Sequence, residues 1–155
     1  MANLFSYHYS HNKFGFSLTE LLVVIAIIGI ISLIGLPVYK SITPNIVLNS
    51  SVRDMASDLR YAQQLAVTEQ KMYSVRFDIL NNSYYVFQAE SQNVIRSRVI
   101  NSQVKINSIT GLSSSTASFT VTGASIESGE IILANKNGKI NIIEIKPSGY
   151  VKIQN

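Results

Sequence analysis

The sequence predicts an α+β protein in which a long N-terminal helix packs on a mainly antiparallel β-sheet domain. Three patterns support this prediction: an apolar stretch over residues 16–39, an amphipathic stretch over residues 40–71, and alternating apolar and polar residues over 72–155. Apolar residues that recur every three or four positions indicate a helix, and strict alternation indicates a strand. The chain is therefore divided into an N-terminal segment (1–15), two consecutive helical segments and a β-rich domain.

The apolar stretch contains a single charged residue, Glu20, between positions 16 and 39. A helix of about 20 apolar residues crosses the ~30 Å hydrocarbon core of a bilayer. The length therefore predicts a membrane-spanning helix. A cleaved secretory signal peptide is an alternative, but its apolar core is shorter and ends in a small-x-small cleavage site, which is missing here. An ordinary membrane anchor and a buried core helix are further alternatives.

Glu20 distinguishes this stretch from an ordinary anchor. An ionised carboxyl group at the centre of a bilayer costs about 2.5–3.5 kcal/mol on the insertion scale and usually has a partner. Cleavage just before Phe16 would create an amine four positions upstream of Glu20. Residues four apart share a helix face, so this amine is the predicted partner, within the chain or from a neighbouring chain.

The residues Gly15-Phe16-Ser17-Leu18-Thr19-Glu20, preceded by Lys13 and followed by the apolar helix, carry a family resemblance. They resemble the prepilin cleavage and methylation signal of type IV pilins and type II secretion pseudopilins. The resemblance implies that a prepilin peptidase cuts after Gly15 and methylates the new amine of Phe16. It also implies that Glu20 pairs with the terminal amine of an adjacent subunit during filament assembly.

The same resemblance implies where the protein resides and what it contacts. Residues 1–15 are expected to be a cytoplasmic leader peptide, and residues 16–39 a transmembrane helix that becomes the filament core. The implied partners are prepilin peptidase, the membrane, and other pilins or pseudopilins through helix packing. The protein is expected to be a single-pass membrane protein before assembly and part of an extracytoplasmic filament afterwards.

The amphipathic segment has an apolar stripe on one side and polar residues on the other. The stripe predicts a helix that extends over about residues 17–70 and whose second half packs on the sheet. Asp54 and Asp58, four residues apart, are interpreted as part of the solvated face. The stripe consists of Leu48, Val52, Met55, Leu59, Ala62 and Ala66, and the polar face of Arg53, Asp54, Asp58, Arg60 and Gln64.

The β-rich domain contains eight short segments with strand character, separated by turn residues. Asn137-Gly138, between two β-rich runs, is the strongest hairpin signal in the chain. The predicted strands are 73–77, 85–87, 94–100, 104–106, 119–121, 131–133, 140–145 and 150–153.

This layout most resembles the GspH/FimT type of pilin-like protein, through the helix at residues 54–66 and the closing strands and turns. The resemblance implies a pilin fold and a minor pseudopilin of a type II secretion system. A FimT-like minor type IV or competence pilin that binds DNA for uptake is the alternative. Some DNA-binding members end in Gly-Arg-x-Arg, whereas this chain has Gly149-Tyr150-Val151-Lys152. An unrelated, uncleaved membrane-anchored β domain is the third possibility.

DNA remains a candidate partner because the β-rich domain carries several cations. Binding to phosphates requires clustered Lys and Arg side chains. The alternative is a solvated surface in which Glu127, Glu130 and Glu144 are interspersed with the cations. The candidate DNA- or ligand-binding residues are Arg96, Arg98, Lys136, Lys139 and Lys152.

The composition argues against catalysis. The chain has no cysteine, and both histidines, His8 and His11, lie in the predicted leader. Removing the leader would leave no thiol or imidazole for a nucleophile, a catalytic triad or a metal site. The carboxylates are scattered, and no glycine-rich phosphate loop is present. The sequence therefore predicts a protein that is not an enzyme and has no catalytic residues, metal or cofactor.

Overall fold

The computed structural model describes residues 15–154, except for the side chains of residues 34–41. The predicted leader, with Lys13, His8 and His11, thus lies almost wholly outside the described residues. The chain divides into two compact units at Tyr39 and Lys40. Its elements are α1 (Leu18–Glu69), β1 (Tyr73–Asp78), β2 (Ser83–Gln88), β3 (Val94–Val99), β4 (Val104–Thr110), a short 3-10 helix (Ser113–Ser115), β5 (Thr116–Phe119), β6 (Gly129–Asn135), β7 (Ile140–Ile145) and β8 (Val151–Gln154).

The first unit is the exposed, apolar beginning of α1. The helix starts where the Ser17 carbonyl accepts hydrogen bonds from the amides of Glu20 and Leu21, at 3.0 and 3.2 Å. The large apolar side chains from Leu18 to Leu33 are all exposed to solvent. Among the described residues, we find no helix with both the length and the hydropathy required to cross a membrane.

The second unit is built around two antiparallel sheets. Over residues 40–154 the strands form one four-stranded sheet in the order β3-β2-β1-β5 and another in the order β4-β6-β7-β8. Every pairing between these strands is antiparallel. The predicted α+β class, with a long helix and an antiparallel β domain, is confirmed.

The core of this unit confirms the predicted helical stripe. All six stripe residues are at most 1% exposed, and they join one hydrophobic cluster with residues from both sheets. Phe119 from the first sheet and Leu133 from the second are fully buried in this cluster. Burial of a large apolar side chain contributes about 1.5–3 kcal/mol. The second half of α1 is therefore stabilised mainly by packing against the two sheets.

The predicted hairpin at Asn137-Gly138 is present between β6 and β7. Gly138 has a φ of +80°, which residues with a Cβ rarely adopt. The side chain of Asn135 closes the turn by accepting hydrogen bonds from the amides of Asn137 and Lys139, each at 3.0 Å. The turn thus uses the residues that the sequence suggested.

One predicted strand is misplaced. The segment at 119–121 was expected to be a strand, whereas β5 ends at Phe119. The chain turns immediately afterwards, because the Thr120 amide donates to the Ala124 carbonyl at 2.9 Å and the Gly123 amide donates to the Thr120 carbonyl at 2.8 Å. The local alternation of apolar residues did not reveal this turn.

Two turns and the helix meet at a tight contact near the end of the domain. Gln63 of α1 donates from Nε2 to the Gly123 carbonyl at 2.7 Å. A Cβ atom placed on Gly149, which has a φ of +80°, would overlap both that carbonyl oxygen and Gln63 Nε2. Only glycine fits here without displacement, because the position requires both a left-handed backbone and the absence of a side chain.

Two amide pairs attach α1 to the second sheet. Asn45 and Asn49, one helical turn apart, accept hydrogen bonds from Asn135 and Asn141, respectively, each at 2.9 Å. The two sheet residues are at most 6% exposed. Buried polar groups must be hydrogen-bonded, so these pairs favour one alignment of the helix on the sheet.

Candidate functional site

The predicted cleavage position is open to solvent. A Cβ atom built on Gly15 would have no heavy atom within 4 Å. Phe16 is 80% exposed and precedes the helix, which begins at Leu18. A peptidase needs an accessible backbone, and the Gly15–Phe16 bond is exposed and lies outside the helix.

Glu20 lies in the first turn of α1 and is exposed. Because the helix begins at Leu18, Phe16 lies outside it, and the predicted helix face shared by Phe16 and Glu20 does not exist in this uncleaved chain. Ser17 precedes the first helical residue and stands three positions before Glu20, the spacing of a Ser-x-x-Glu capping box at a helix N-terminus. The Ser17 hydroxyl instead lies 2.8 Å from the Thr19 hydroxyl. A carboxylate is favourable at this position because the first turn carries unpaired amides.

A second constellation surrounds Asp58, and its position contradicts the sequence-based interpretation. The sequence pattern places Asp58 on the solvated face, but in the structure Asp58 is 1% exposed. It lies three residues after Met55 and four before Ala62, on the buried side of α1. It accepts hydrogen bonds from Tyr84 Oη at 2.9 Å and from Arg96 Nη1, and it forms an ion pair with Arg98, whose Nε lies 2.7 Å from Oδ2.

The groups around Asp58 favour the charge states that hold the constellation together. Burial, together with the hydrogen bond to Asp58, raises the pKa of the Tyr84 hydroxyl, which therefore remains a donor at all ordinary pH values. The hydrogen bond to Asp58 also raises the pKa of Arg96. The Arg96 guanidinium carbon lies 4.4 Å from the centre of the Tyr61 ring, a favourable cation–π geometry. The arrangement fixes β3 to the helix.

The candidate DNA-binding residues fall into separate groups. Arg96 and Arg98 converge on Asp58, which offsets part of their charge. Lys136 and Lys139 are exposed and flank the β6–β7 turn in the other sheet, and Lys152 is exposed on β8. Two of the five candidates therefore have a structural role that sequence reasoning did not anticipate. Over residues 15–154, no group of three or more His, Cys, Asp or Glu side chains is placed to hold a metal.

An open groove of about 480 Å³ lies beside the Asp58 constellation, between α1 and the end of β3. Its apolar lining includes Ile46 and Val99, and its polar lining includes Asp54, Arg98 and Asn101. The lining contains one carboxylate, Asp54, and one cation, Arg98.

Comparisons with known proteins agree with the motif and with the fold. A family profile described as the prokaryotic N-terminal methylation motif matches residues 10–36. No curated protein matches the chain. Among solved structures, the chain is similar to the type IV minor pilin FimU of Pseudomonas aeruginosa, with 16% identity and a TM-score of 0.60 over 74% of this chain and 92% of FimU.

A second similar structure is the minor pseudopilin EpsH from the type 2 secretion system of Vibrio cholerae. It has 9% identity and a TM-score of 0.58, with coverage of 69% of this chain and 95% of EpsH. At these identities the similarity establishes the fold. The chain therefore carries a prepilin-type methylation motif and has the fold of a minor pilin or pseudopilin, which confirms the predicted resemblance to pilin-like proteins of the GspH/FimT type.

Proposed function

We propose that this chain is a GspH-like minor pseudopilin, processed by prepilin peptidase and assembled into the pseudopilus of a type II secretion system. The observation that carries the proposal is the order of features at the N-terminus. An accessible Gly15–Phe16 bond precedes a helix with Glu20 in its first turn and exposed apolar side chains beyond it. The fold shared with EpsH supports the same function.

The proposed assembly step depends on charge compensation in an apolar environment. Cleavage after Gly15 gives Phe16 a free amine, which the peptidase methylates without removing its positive charge. The amine of an incoming subunit pairs with Glu20 of a neighbour, so neither charge is left uncompensated among apolar helices. The exposed side chains between Leu18 and Leu33 then pack against sister helices.

Residues 16–39 are proposed to anchor the precursor in the membrane as a single pass before assembly. The leader, residues 1–15, then lies in the cytoplasm, and the β-rich domain lies on the opposite, extracytoplasmic side of the membrane. Assembly transfers the apolar helix from lipid to the filament core, where sister helices replace the acyl chains. The apolar character of the stretch is suited to both environments.

A minor type IV pilin is the second candidate, favoured by the similarity to FimU. In its DNA-binding form this candidate relies on Lys136, Lys139 and Lys152, since the two arginines already contact Asp58. Gel shifts at several salt concentrations test it. Because counterion release makes such binding strongest at low salt, absence of retardation at the lowest salt would exclude the DNA-binding form.

Gly15→Val is expected to block processing, because a branched side chain next to the scissile bond hinders access of the peptidase to a backbone that is otherwise unobstructed. Mass spectrometry of the wild-type protein from cells is expected to give N-methylated Phe16 as the first residue, and the variant is expected to retain Met1 or an unprocessed leader. Gly29→Val is the matched control, since Gly29 is equally free of neighbours. Detection of wild-type protein that still carries Met1 would instead favour the third possibility, an unrelated membrane-anchored β domain that is never cleaved.

Glu20→Gln is expected to leave cleavage intact and to reduce incorporation into filaments by about tenfold or more, because the incoming amine loses its charged partner. The measurement compares processed protein in the membrane with protein in sheared filaments. Asp54→Gln is the control, because it removes an exposed carboxylate from the same helix. Normal incorporation of the Glu20 variant would contradict the assembly mechanism.

A further inference from the structure

The outer edge of β3 presents unpaired backbone groups. β3 pairs with β2 on one side, and the described residues place no strand on its other side. The amide of Ile100, just after β3, donates to the Asn82 carbonyl on the β2 side at 2.9 Å. Residues two apart in a strand direct their backbone groups the same way. The backbone amide and carbonyl of Arg98 therefore point toward β2, whereas those of Ser97 and Val99 point away from it, toward the open edge.

Apolar side chains accompany this open edge. Val94 is 51% exposed, Ile95 41% and Val99 80%. An edge strand with exposed apolar side chains is a template for an added strand. Ile95 and Val99 flank the segment that contains Arg96 and Arg98, and both arginines contact Asp58 of the helix.

The other edges of the two sheets are protected. β4 and β8 each carry an exposed lysine, Lys105 and Lys152, and such cations oppose edge-to-edge pairing. The outer side of β5 is covered, because the Ser118 carbonyl accepts a hydrogen bond from the Ile126 amide at 2.9 Å. On β3 the cations do not protect the edge in this way, because both are held by Asp58.

The electrostatics beside the open edge favour an acid. Two arginines share one carboxylate, which leaves the constellation with one excess positive charge. Arg98 contacts Asp58 through Nε, and within the described part of the chain its Nη groups make no hydrogen bond. Arg98 and Val99 line the groove beside the edge, while Asp54 lies on its helical wall. An acidic side chain of a bound segment is therefore favoured near Arg98, on the strand side of the groove, and disfavoured near Asp54 on the helix side.

We propose that β3 and the adjoining groove bind an extended acidic segment of another protein as an added strand. Acidic side chains at alternate positions of that segment face Arg96 and Arg98, and the apolar side chains between them lie beside Ile95 and Val99. A second copy of this chain does not fit, because its β4 and β8 edges carry Lys105 and Lys152, and pairing of two β3 edges would bring the arginines of both copies together. The inference concerns the second unit, residues 40–154, and does not depend on the proposed filament role.

Binding of a designed peptide to the full chain in detergent tests the proposal. The probe is a fluorescently labelled peptide of about eight residues that alternates glutamate and valine, a length typical of a strand. Anisotropy is expected to show binding that weakens by about tenfold when lysine replaces glutamate, and that also weakens with added salt. The same peptide with alternate amides N-methylated is expected to lose about tenfold, because it cannot form the ladder.

A protein variant tests the same edge. Val99→Pro removes one outward amide while leaving the β2 side intact, since proline is tolerated at the solvent side of an edge strand. It is expected to weaken binding of the glutamate peptide by about tenfold, whereas Val99→Ala, which keeps the amide, is expected to change it less than about threefold. Circular dichroism and thermal unfolding report whether each variant is folded.

Three results would overturn the proposal: no binding at millimolar peptide, equal binding of the N-methylated peptide, or unaltered binding to a folded Val99→Pro variant. If that variant fails to fold, the comparison of the two peptides on the unmodified protein decides alone. Equal binding of the lysine peptide would remove the acidic requirement and with it the proposed partner class.

Discussion

Replacing both Arg96 and Arg98 with methionine is expected to lower the free energy of unfolding by about 3–5 kcal/mol, the usual cost of leaving a buried charge without its partner. Asp58 is 1% exposed, so it cannot turn to water when the guanidinium groups are removed. Of the three side chains that now contact its carboxylate, only Tyr84 would remain. Denaturant unfolding of the full chain in detergent measures the loss.

The opposite deletion is expected to be milder. In Asp58→Asn the two arginines, whose side chains are 38% and 45% exposed, can turn toward solvent, so the loss is about 1–3 kcal/mol. Combining Asp58→Leu with both methionines is expected to recover most of the stability, because an apolar set of similar volume replaces the ionic one. A triple variant less stable than the double variant would contradict this account.

Gly149→Ala is expected to cost at least about 3 kcal/mol, the sum of a left-handed backbone penalty and an overlap in a packed contact. The new Cβ would meet the Gly123 carbonyl oxygen, and that oxygen also accepts the Gln63 hydrogen bond. Relief of the overlap requires the two turns to move apart and weakens the Gln63 contact with the helix. Equilibrium unfolding in denaturant measures the loss.

Gly138→Ala provides the matched control for this substitution. Gly138 has the same φ of +80°, but a Cβ there would have no heavy atom within 4 Å. The control therefore carries the backbone penalty alone, about 1–2 kcal/mol. Equal losses in the two alanine variants would show that the turns can separate freely and that the close contact at Gly149 has no energetic weight.

Much of the architecture is predictable from the sequence because it depends on local periodicity. The stripe from Leu48 to Ala66 fixes the buried side of α1, and Asn137-Gly138 fixes one hairpin. The end of β5 was not predictable in this way, because Phe119 to Val121 alternates like a strand while hydrogen bonds to Ala124 and from Gly123 turn the chain. Alternation does not reveal where a pairing partner ends.

The Asp58 constellation was missed for a different reason. A carboxylate on a helix is normally solvated, and the three side chains that contact Asp58 come from strands that follow it by 26 residues or more. One local signal was available: Asp58 is spaced three residues from Met55 and four from Ala62, inside the apolar stripe. The sequence offers Arg96 and Arg98 as a possible phosphate-binding pair, because their alternation shows that they share a face of the strand. It does not show which residue contacts that face, which in the structure is Asp58.

The contacts between α1 and the sheets also determine how the domain bears mechanical load. The amide pairs at Asn45 and Asn49, the bond from Arg60 to the Val151 carbonyl at 2.9 Å and the bond from Gln63 to Gly123 are spread along the helix axis. A pull along that axis strains all four at once, in shear, together with the packed stripe. The β-rich domain is therefore expected to resist sliding along α1, which loads the four bonds together, better than peeling from one end, which loads them one after another.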